Sequence, residues 1–554
     1  MTHWICRTRF AILTAAILTG VNGHDRADAS PQSTPLAQAP AVPAATSEVP
    51  AVAQRDPALP GPSPQGTGQQ VKTPPPDQPV PVKIIADAAV SSNDTVTIRS
   101  RAGETVVPYR VTVGTQPVWD AENKPVASMF YTYYERTDVV DKSTRPLLIS
   151  FNGGPGSASV WMHIAYTGPR ILRIDSEGYP IQPYGIQENP YSILDVADIV
   201  YIDPVNTGFS RTLNDAKREQ FFGVNEDIAY LARWIGAFVT RNGRWTSPKY
   251  LIGESYGTTR AAGLAARLQG SQWMYLNGVI LVSPTDLGIR RDGAIDEAIS
   301  LPYYAATAWY HKALAPDLQA RDLDQLLPEV EAFTLDQLIP AMARGGSLDE
   351  KRRSELVALY ARYSGLKPEV VLNHHFAVPP SFFWKELLRD RGLTIGRLDS
   401  RYRGLDREDA GTSPDFDPAM SAWNHAFAPA INYYLRDVLK YQTDLQYWIF
   451  GPVSPWNNTG DTTGESLRSA MAENPYLHVL VQSGYFDGAT DYFNAKYTMW
   501  NMDPAGRFQD RMTWKGYRSG HMMYLRQENL GQANDDIREF IAKTTPKAGE
   551  PAKR

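Results

Sequence analysis

A serine set between two glycines, Gly253-Glu254-Ser255-Tyr256-Gly257, is a place in this 554-residue chain where residue type and spacing could do chemistry. It follows the apolar run Tyr250-Leu251-Ile252 and precedes a helix-favouring stretch from Thr259 to Leu268. In a strand–turn–helix setting, G-x-S-x-G presents its hydroxyl on a sharp turn at the carboxyl end of a sheet. The glycines permit the turn without a Cβ clash, and the helix amino terminus favours negative charge. Alone, the motif is also an ordinary tight turn; the setting is what points to a nucleophile. A serine attacks only when a base takes its proton. With the order Ser, acid, His expected of such an elbow, the natural base is His521, the only histidine after His478. The acid is Asp487, directly after the apolar run Leu477–Gly484, with Asp491 a competitor farther from the strand end. A glycine-rich turn, Asn152-Gly153-Gly154-Pro155-Gly156, follows another apolar run, Pro146–Phe151. Backbone N–H groups of Gly154 and Tyr256 could meet a developing oxyanion, each such donor being worth roughly 3–4 kcal/mol of transition-state stabilisation.

These groups need a frame. Short, almost wholly apolar runs at 146–151, 197–202, 250–252, 276–282 and 477–484 predict strands buried on both faces of a parallel sheet. Between some of them lie helical patterns, such as Ile228, Leu231, Trp234, Ile235 and Phe238. Alternation of this kind predicts an α/β fold. Residues 83–136 alternate as half-buried strands, a β-rich entry. From about 290 to about 440 the chain turns charged and helix-favouring, which predicts a helical cap inserted into one catalytic domain spanning 83–545. Two consecutive domains are the alternative, but they would leave the last strand and helix without a sheet to join. No internal repeat is found.

Arg7 and Arg9 precede an apolar stretch from Phe10 to Val21, the plan of a secretory signal over 1–29. Cleavage could follow Gly23 or Ala29, and an uncleaved anchor is the alternative. Residues 30–82 are rich in Pro and Ala and predict a disordered tether; 546–554 predict a flexible tail. Cys6, the single cysteine, would leave with the signal, so no disulfide and no zinc-finger or iron–sulfur site is expected. No cofactor or metal is expected: His374 and His375 are adjacent and lack the helical spacing of paired ligands. A net charge of −5, from 55 basic and 60 acidic residues, argues weakly against a nucleic-acid partner. No later apolar run reaches about 18 residues, so no stable span is expected after signal removal. The expected location is the periplasm or the medium; the oligomeric state is not readable.

Together FNGGPGSAS, NPYSILDVADIVYIDPVNTGFS, GESYG, SGYFDGATDYF and GHMMY resemble the serine carboxypeptidases, over roughly residues 85–545. The resemblance implies an α/β-hydrolase fold with a helical insertion, and hydrolysis of the last peptide bond of substrates with a free carboxyl terminus. It implies Ser255, Asp487 and His521 as the triad and the N–H groups of Gly154 and Tyr256 as the oxyanion hole. It also implies Asn152, the backbone of Gly153 and Glu254 as the grip on the substrate's terminal carboxylate. Glu254 can do that only when protonated, which would favour peptide hydrolysis at acidic pH, whereas His521 must be neutral to act as base. Three departures stand out. Tyr166 occupies a place usually held by glutamate, Ser157 one commonly held by cysteine, and the usual disulfides are absent. The insertion carries no matching motif. An esterase or acyltransferase would use the same triad without needing Asn152 and Glu254. A non-catalytic exported binding protein is a further alternative, against which the filled triad positions speak.

Overall fold

The computed structural model describes residues 84–547 and Gly549; the signal and tether expected over 1–82, and all but a few residues of the expected tail, lie outside the described residues. The described chain opens with three long antiparallel strands, β1 (Ala88–Ser100), β2 (Gly103–Trp119) and β3 (Pro125–Arg136). In β2 the alternate residues Val107, Tyr109, Val111 and Val113 are buried, the two-residue period of a strand with one face on the core. Four strands follow in which every residue is buried: β4 (Leu147–Phe151), β5 (Asp198–Ile202), β6 (Lys249–Glu254) and β7 (Gly278–Val282). With β8 (His478–Gly484) and β9 (Met512–Tyr517) they form one sheet in the order β1-β2-β3-β5-β4-β6-β7-β8-β9. From β5 to β9 every pairing is parallel. The protein is an α/β fold of the α/β-hydrolase kind, with a mostly parallel central sheet.

Apolar runs form these strands because both faces are covered. Leu148, Tyr250, Ile252, Ile280 and Leu480 point to one face. Leu147, Ile149, Leu251, Leu281 and Val481 point to the other. The second face packs on α1 (Val224–Arg241) and α2 (Tyr256–Gln272). In α1 the predicted stripe Ile228, Leu231, Trp234, Ile235 and Phe238 is buried.

Between β7 and β8 the chain makes a long excursion, mostly of helices, from Ala294 to Val438. Its helices α3 (Leu301–Tyr310), α4 (Leu323–Phe333) and α5 (Glu350–Ser364) build a cluster of their own around Leu301, Tyr304, Val330, Leu356 and Tyr360. Asp349 caps the start of α5 by accepting from Arg352 N at 2.9 Å, and Gly365, at φ 71°, closes its end. The last long helix, α6 (Pro418–Tyr433), behaves differently: Trp423, Phe427 and Ile431 join the core on the sheet's first face. After β8 come α7 (Tyr492–Met502) and α8 (Gln527–Thr544), whose Leu530, Ile537 and Ile541 cover that same face. The chain leaves β4 for β5 on one side and returns to β6 on the other. A cleft at such a reversal, beyond the carboxyl ends of the strands, is where open α/β sheets place their sites.

Candidate active site

Ser255 stands between β6 and α2 with φ 57° and ψ −128°, a conformation costly for any residue but glycine. The turn is held because Ser255 N donates to Val282 O at 3.0 Å and Thr258 N to Ser255 O at 2.9 Å. Crowding explains the motif's first glycine, since a Cβ on Gly253 would lie 1.9 Å from Gly257 O. The Asn152–Gly154 loop comes equally close. A Cβ on Gly153 would lie 2.5 Å from Tyr256 N and 2.9 Å from Ser255 Cβ. Tyr256 is the first residue of α2, so its N–H has no carbonyl within the helix to bond.

From β8 and the loop after β9 come the other two groups. His521 Nδ1 lies 2.8 Å from Asp487 Oδ2, and both residues are buried. Asp487 Oδ1 accepts from Ala489 N at 2.8 Å and Thr490 N at 3.1 Å, while Thr490 Oγ1 lies 2.9 Å from Oδ2. This carboxylate is therefore fully engaged. Burial lowers the His521 pKa, but the charge and hydrogen bond of Asp487 outweigh it and leave the imidazole above its ordinary 6.5. Asp491 is placed otherwise: it caps α7, accepting from Asn494 N at 2.9 Å and from Ser300 Oγ at 3.1 Å. Of the two candidate acids, His521 reaches Asp487.

Glu254 and Asn152 meet as well. Asn152 Nδ2 donates to Glu254 Oε1 at 3.0 Å, and the Tyr524 hydroxyl donates to Glu254 Oε2. Burial pushes the Glu254 pKa up to about 7, with neighbouring His521 and the Tyr524 bond pulling the other way. Tyr166 does not enter this group as an acid. Its ring stacks on Tyr524 at 4.5 Å and 12°, and its hydroxyl donates to Gln482 Oε1 at 2.7 Å. Ser157 Oγ bonds the Ala158 carbonyl at 2.9 Å. Asn152, Gly153, Gly154, Glu254, Ser255 and His521 line one pocket of about 190 Å³, with Trp161, Leu398, Met420 and Phe450 as apolar walls. A larger cavity, about 600 Å³, adjoins it at Ala489 and Thr490.

Sequence reasoning missed several residues that hold this arrangement. Buried Arg260, on α2, gives Nη1 to Asn152 O and Nη2 to Pro155 O, both at 2.7 Å, and pairs through Nε with Asp227 Oδ2 at 2.6 Å. It ties the elbow helix to the glycine loop and both to α1. Ser283 Oγ donates to His521 O at 2.7 Å. The excursion contributes a brace: His521 N donates to Leu398 O at 2.7 Å and Gly488 N to Arg397 O at 2.9 Å. Thr490 and Tyr524 stand three residues after Asp487 and His521, inside stretches already singled out, and were findable there. Leu398 and Arg260 carry no such signal. His374 bonds its own helix at Val370 O, 2.8 Å, with its ring against Phe382.

A family profile described as serine carboxypeptidase matches residues 118–334, which hold the glycine loop and the elbow. Over that stretch the chain is similar to the serine carboxypeptidases. Among its relatives, serine carboxypeptidase-like 36 of Arabidopsis thaliana is 28% identical over 171 residues, 30% of this chain and 33% of that protein. Serine carboxypeptidase-like 16 of the same plant is 30% identical over 182 residues, 31% of this chain and 40% of that one. Serine carboxypeptidase S10 family member 1 of Dictyostelium discoideum is 29% identical over 133 residues, covering 24% and 29%. The matched stretch thus spans about a third of these relatives' length. Among solved structures, a prohormone-processing carboxypeptidase from Saccharomyces cerevisiae aligns with TM-score 0.49 and 14% identity, covering 78% of this chain and 91% of that one.

Proposed function

We propose that this protein is an active serine carboxypeptidase, releasing the last residue of a peptide through an acyl-enzyme on Ser255. The observation that carries the reading is the buried Glu254–Asn152 pair beside Ser255, with its carboxyl pushed up to about 7. A protonated carboxyl can share its proton with a substrate's terminal carboxylate, and an esterase has no use for that grip. In the reaction, His521 takes the Ser255 proton as the hydroxyl attacks the scissile carbonyl, then gives it to the departing amine. Asp487 orients the ring and stabilises its charged form. The N–H groups of Gly154 and Tyr256 meet the oxyanion. Water, activated by His521, then frees the acyl group.

The two titrations oppose each other. Glu254 holds a carboxylate below about pH 7 and repels one above it; His521 works only when neutral, above its raised pKa. Each also favours the other's charged form, so they titrate as a coupled pair. The working state is neutral Glu254 with neutral His521, which a bound carboxylate favours. Affinity for a free acid is therefore favoured at acidic pH relative to that for its amide.

An N-blocked dipeptide and its carboxy-amidated twin, assayed from about pH 4 to 8 with Ser255→Ala as control, test this. The free acid is expected to be preferred on the acid side, with the preference fading as pH rises through about 7. Equal cleavage of the twin, or turnover of esters only, would hand the site to the esterase or acyltransferase reading. No labelling of folded protein by a fluorophosphonate would leave a binding protein. Residues 1–29 support export, and the excursion over the sheet supports a cap. Among the described residues no helix is long and apolar enough to cross a membrane.

A further inference from the structure

Arg397 lines the same pocket as Ser255 and His521, on the side supplied by the excursion. Its backbone is fixed, since its carbonyl accepts from Gly488 N at 2.9 Å and the next carbonyl accepts from His521 N. Its side chain is exposed, and among the described residues the guanidinium makes no hydrogen bond or ion pair. That is unusual for this molecule, whose other arginines near the cleft are committed: Arg260 to Asp227, Arg401 to Asp399, Arg291 to Asp286. Asp417, the carboxylate close enough to feel Arg397, is occupied by the N–H groups of Leu398 and Ala419 at 3.1 and 3.0 Å. Arg397 is also the one permanent cation lining the pocket, whose neighbouring walls are apolar. The adjoining cavity is lined by Asp286, Asp296, Glu297 and Asp491, with Arg291 already paired. That acidic lining disfavours an anionic side chain in the adjoining cavity, and Arg397 is the cation in the pocket that could meet one.

We propose that Arg397 is a specificity-determining residue, recognising the side-chain carboxylate of an aspartate or glutamate next to the bond that is cut. This rests on Ser255 being an acylating nucleophile, and it adds a selectivity that the grip on the chain end does not supply. A planar guanidinium on a braced backbone suits a carboxylate, which it can hold by two parallel bonds. Open to water, the contact is worth little in absolute terms, so its signature is a ratio between matched substrates.

The test compares kcat/KM for N-blocked dipeptides carrying Glu, Gln or Lys on either side of the scissile bond, together with p-nitrophenyl esters of N-acetyl-Glu and N-acetyl-Gln. Wild type, Arg397→Met and Arg397→Glu are assayed in low salt. At one position the Glu/Gln ratio is expected to be roughly three- to fivefold in wild type. It should fall to about one in Arg397→Met and reverse in favour of Lys in Arg397→Glu, each read as a ratio of substrates within one enzyme at one pH, because the Arg397 charge also acts on His521 and so on all substrates together. A merely structural role for Arg397 would lower all substrates alike and leave the ratio in place, overturning the proposal. Equal weakening of every free-acid peptide by Arg397→Met would overturn it too, since the arginine would then hold the chain end. If no dipeptide is cut but the ester pair shows the charge preference, the carboxypeptidase reading fails and this one stands. Absence of the preference from peptides and esters both refutes it.

Discussion

The two sides of the pocket are held in different ways. On the sheet side, Ser255, Asn152 and Glu254 stand at strand ends, and buried polar ties fix them: Arg260 to two carbonyls and Asp227, Asn152 and Tyr524 to Glu254. On the excursion side, two backbone carbonyls brace the Asp487 and His521 loops, while the exposed Arg397, which lines the pocket, has no side-chain hydrogen bond or ion pair among the described residues. The first side cross-ties its charged and amide side chains, Arg260, Asp227, Asn152 and Glu254, and so can fix a geometry. The second leaves a charge in water, which can discriminate among substrates but cannot hold the chemistry in place. On the proposed reading, catalysis falls where the protein is most tightly cross-tied and selection where it is not.

Substitution breaks this contrast at graded levels. The largest loss is expected from Asp487→Asn, which keeps the shape but presents the wrong hydrogen-bonding partner to His521 Nδ1. Turnover should fall by about 10⁴-fold, measured as kcat on any substrate the wild type cleaves, with folding unchanged by circular dichroism. A fall of only a fewfold would remove Asp487 from the catalytic group. Next comes Arg260→Met, which leaves Asp227 charged and unpaired in a dry site. Denaturant unfolding should show a loss of about 3–5 kcal/mol. Because Asn152 and Pro155 lose their tie, kcat should fall in the part that remains folded. Unaltered stability would mean that the sheet side is not held as described. The smallest effect is the most specific. Glu254→Gln keeps a donor toward a carboxylate but removes the titration near pH 7. The KM for a free-acid peptide should then stop rising as pH climbs through that value, whereas the wild-type KM climbs because its glutamate ionises and repels the substrate. A mutant profile parallel to the wild type would assign the pH dependence elsewhere.

Tyr166 shows how far reading residues in order can go. That the usual acid is missing there was visible in the chain. What replaces it was not: the phenol reaches Gln482, 316 residues away, and its ring lies against Tyr524, whose hydroxyl serves Glu254. Glu254 therefore has an aromatic pair behind it, Tyr524 and Tyr166, where the resemblance led one to look for a second acid.

The elbow at Ser255, the loop at Asn152–Gly154 and the strands beneath them were legible in the sequence because each is set by its own neighbours. Apolar runs of strand length, glycines at a tight crossing and a helix start all act within a few residues. Nearness to the strand end already favoured Asp487 over Asp491; the contact with the imidazole is tertiary, because only the packing of β9 and its loop brings His521 to Asp487 while Asp491 caps α7. Arg260's grip on the glycine loop, the Leu398 brace and the position of Arg397 were likewise decided in three dimensions. Each depends on segments far apart in the chain meeting, and the Arg260 tie gains its strength only once the fold has excluded water around it.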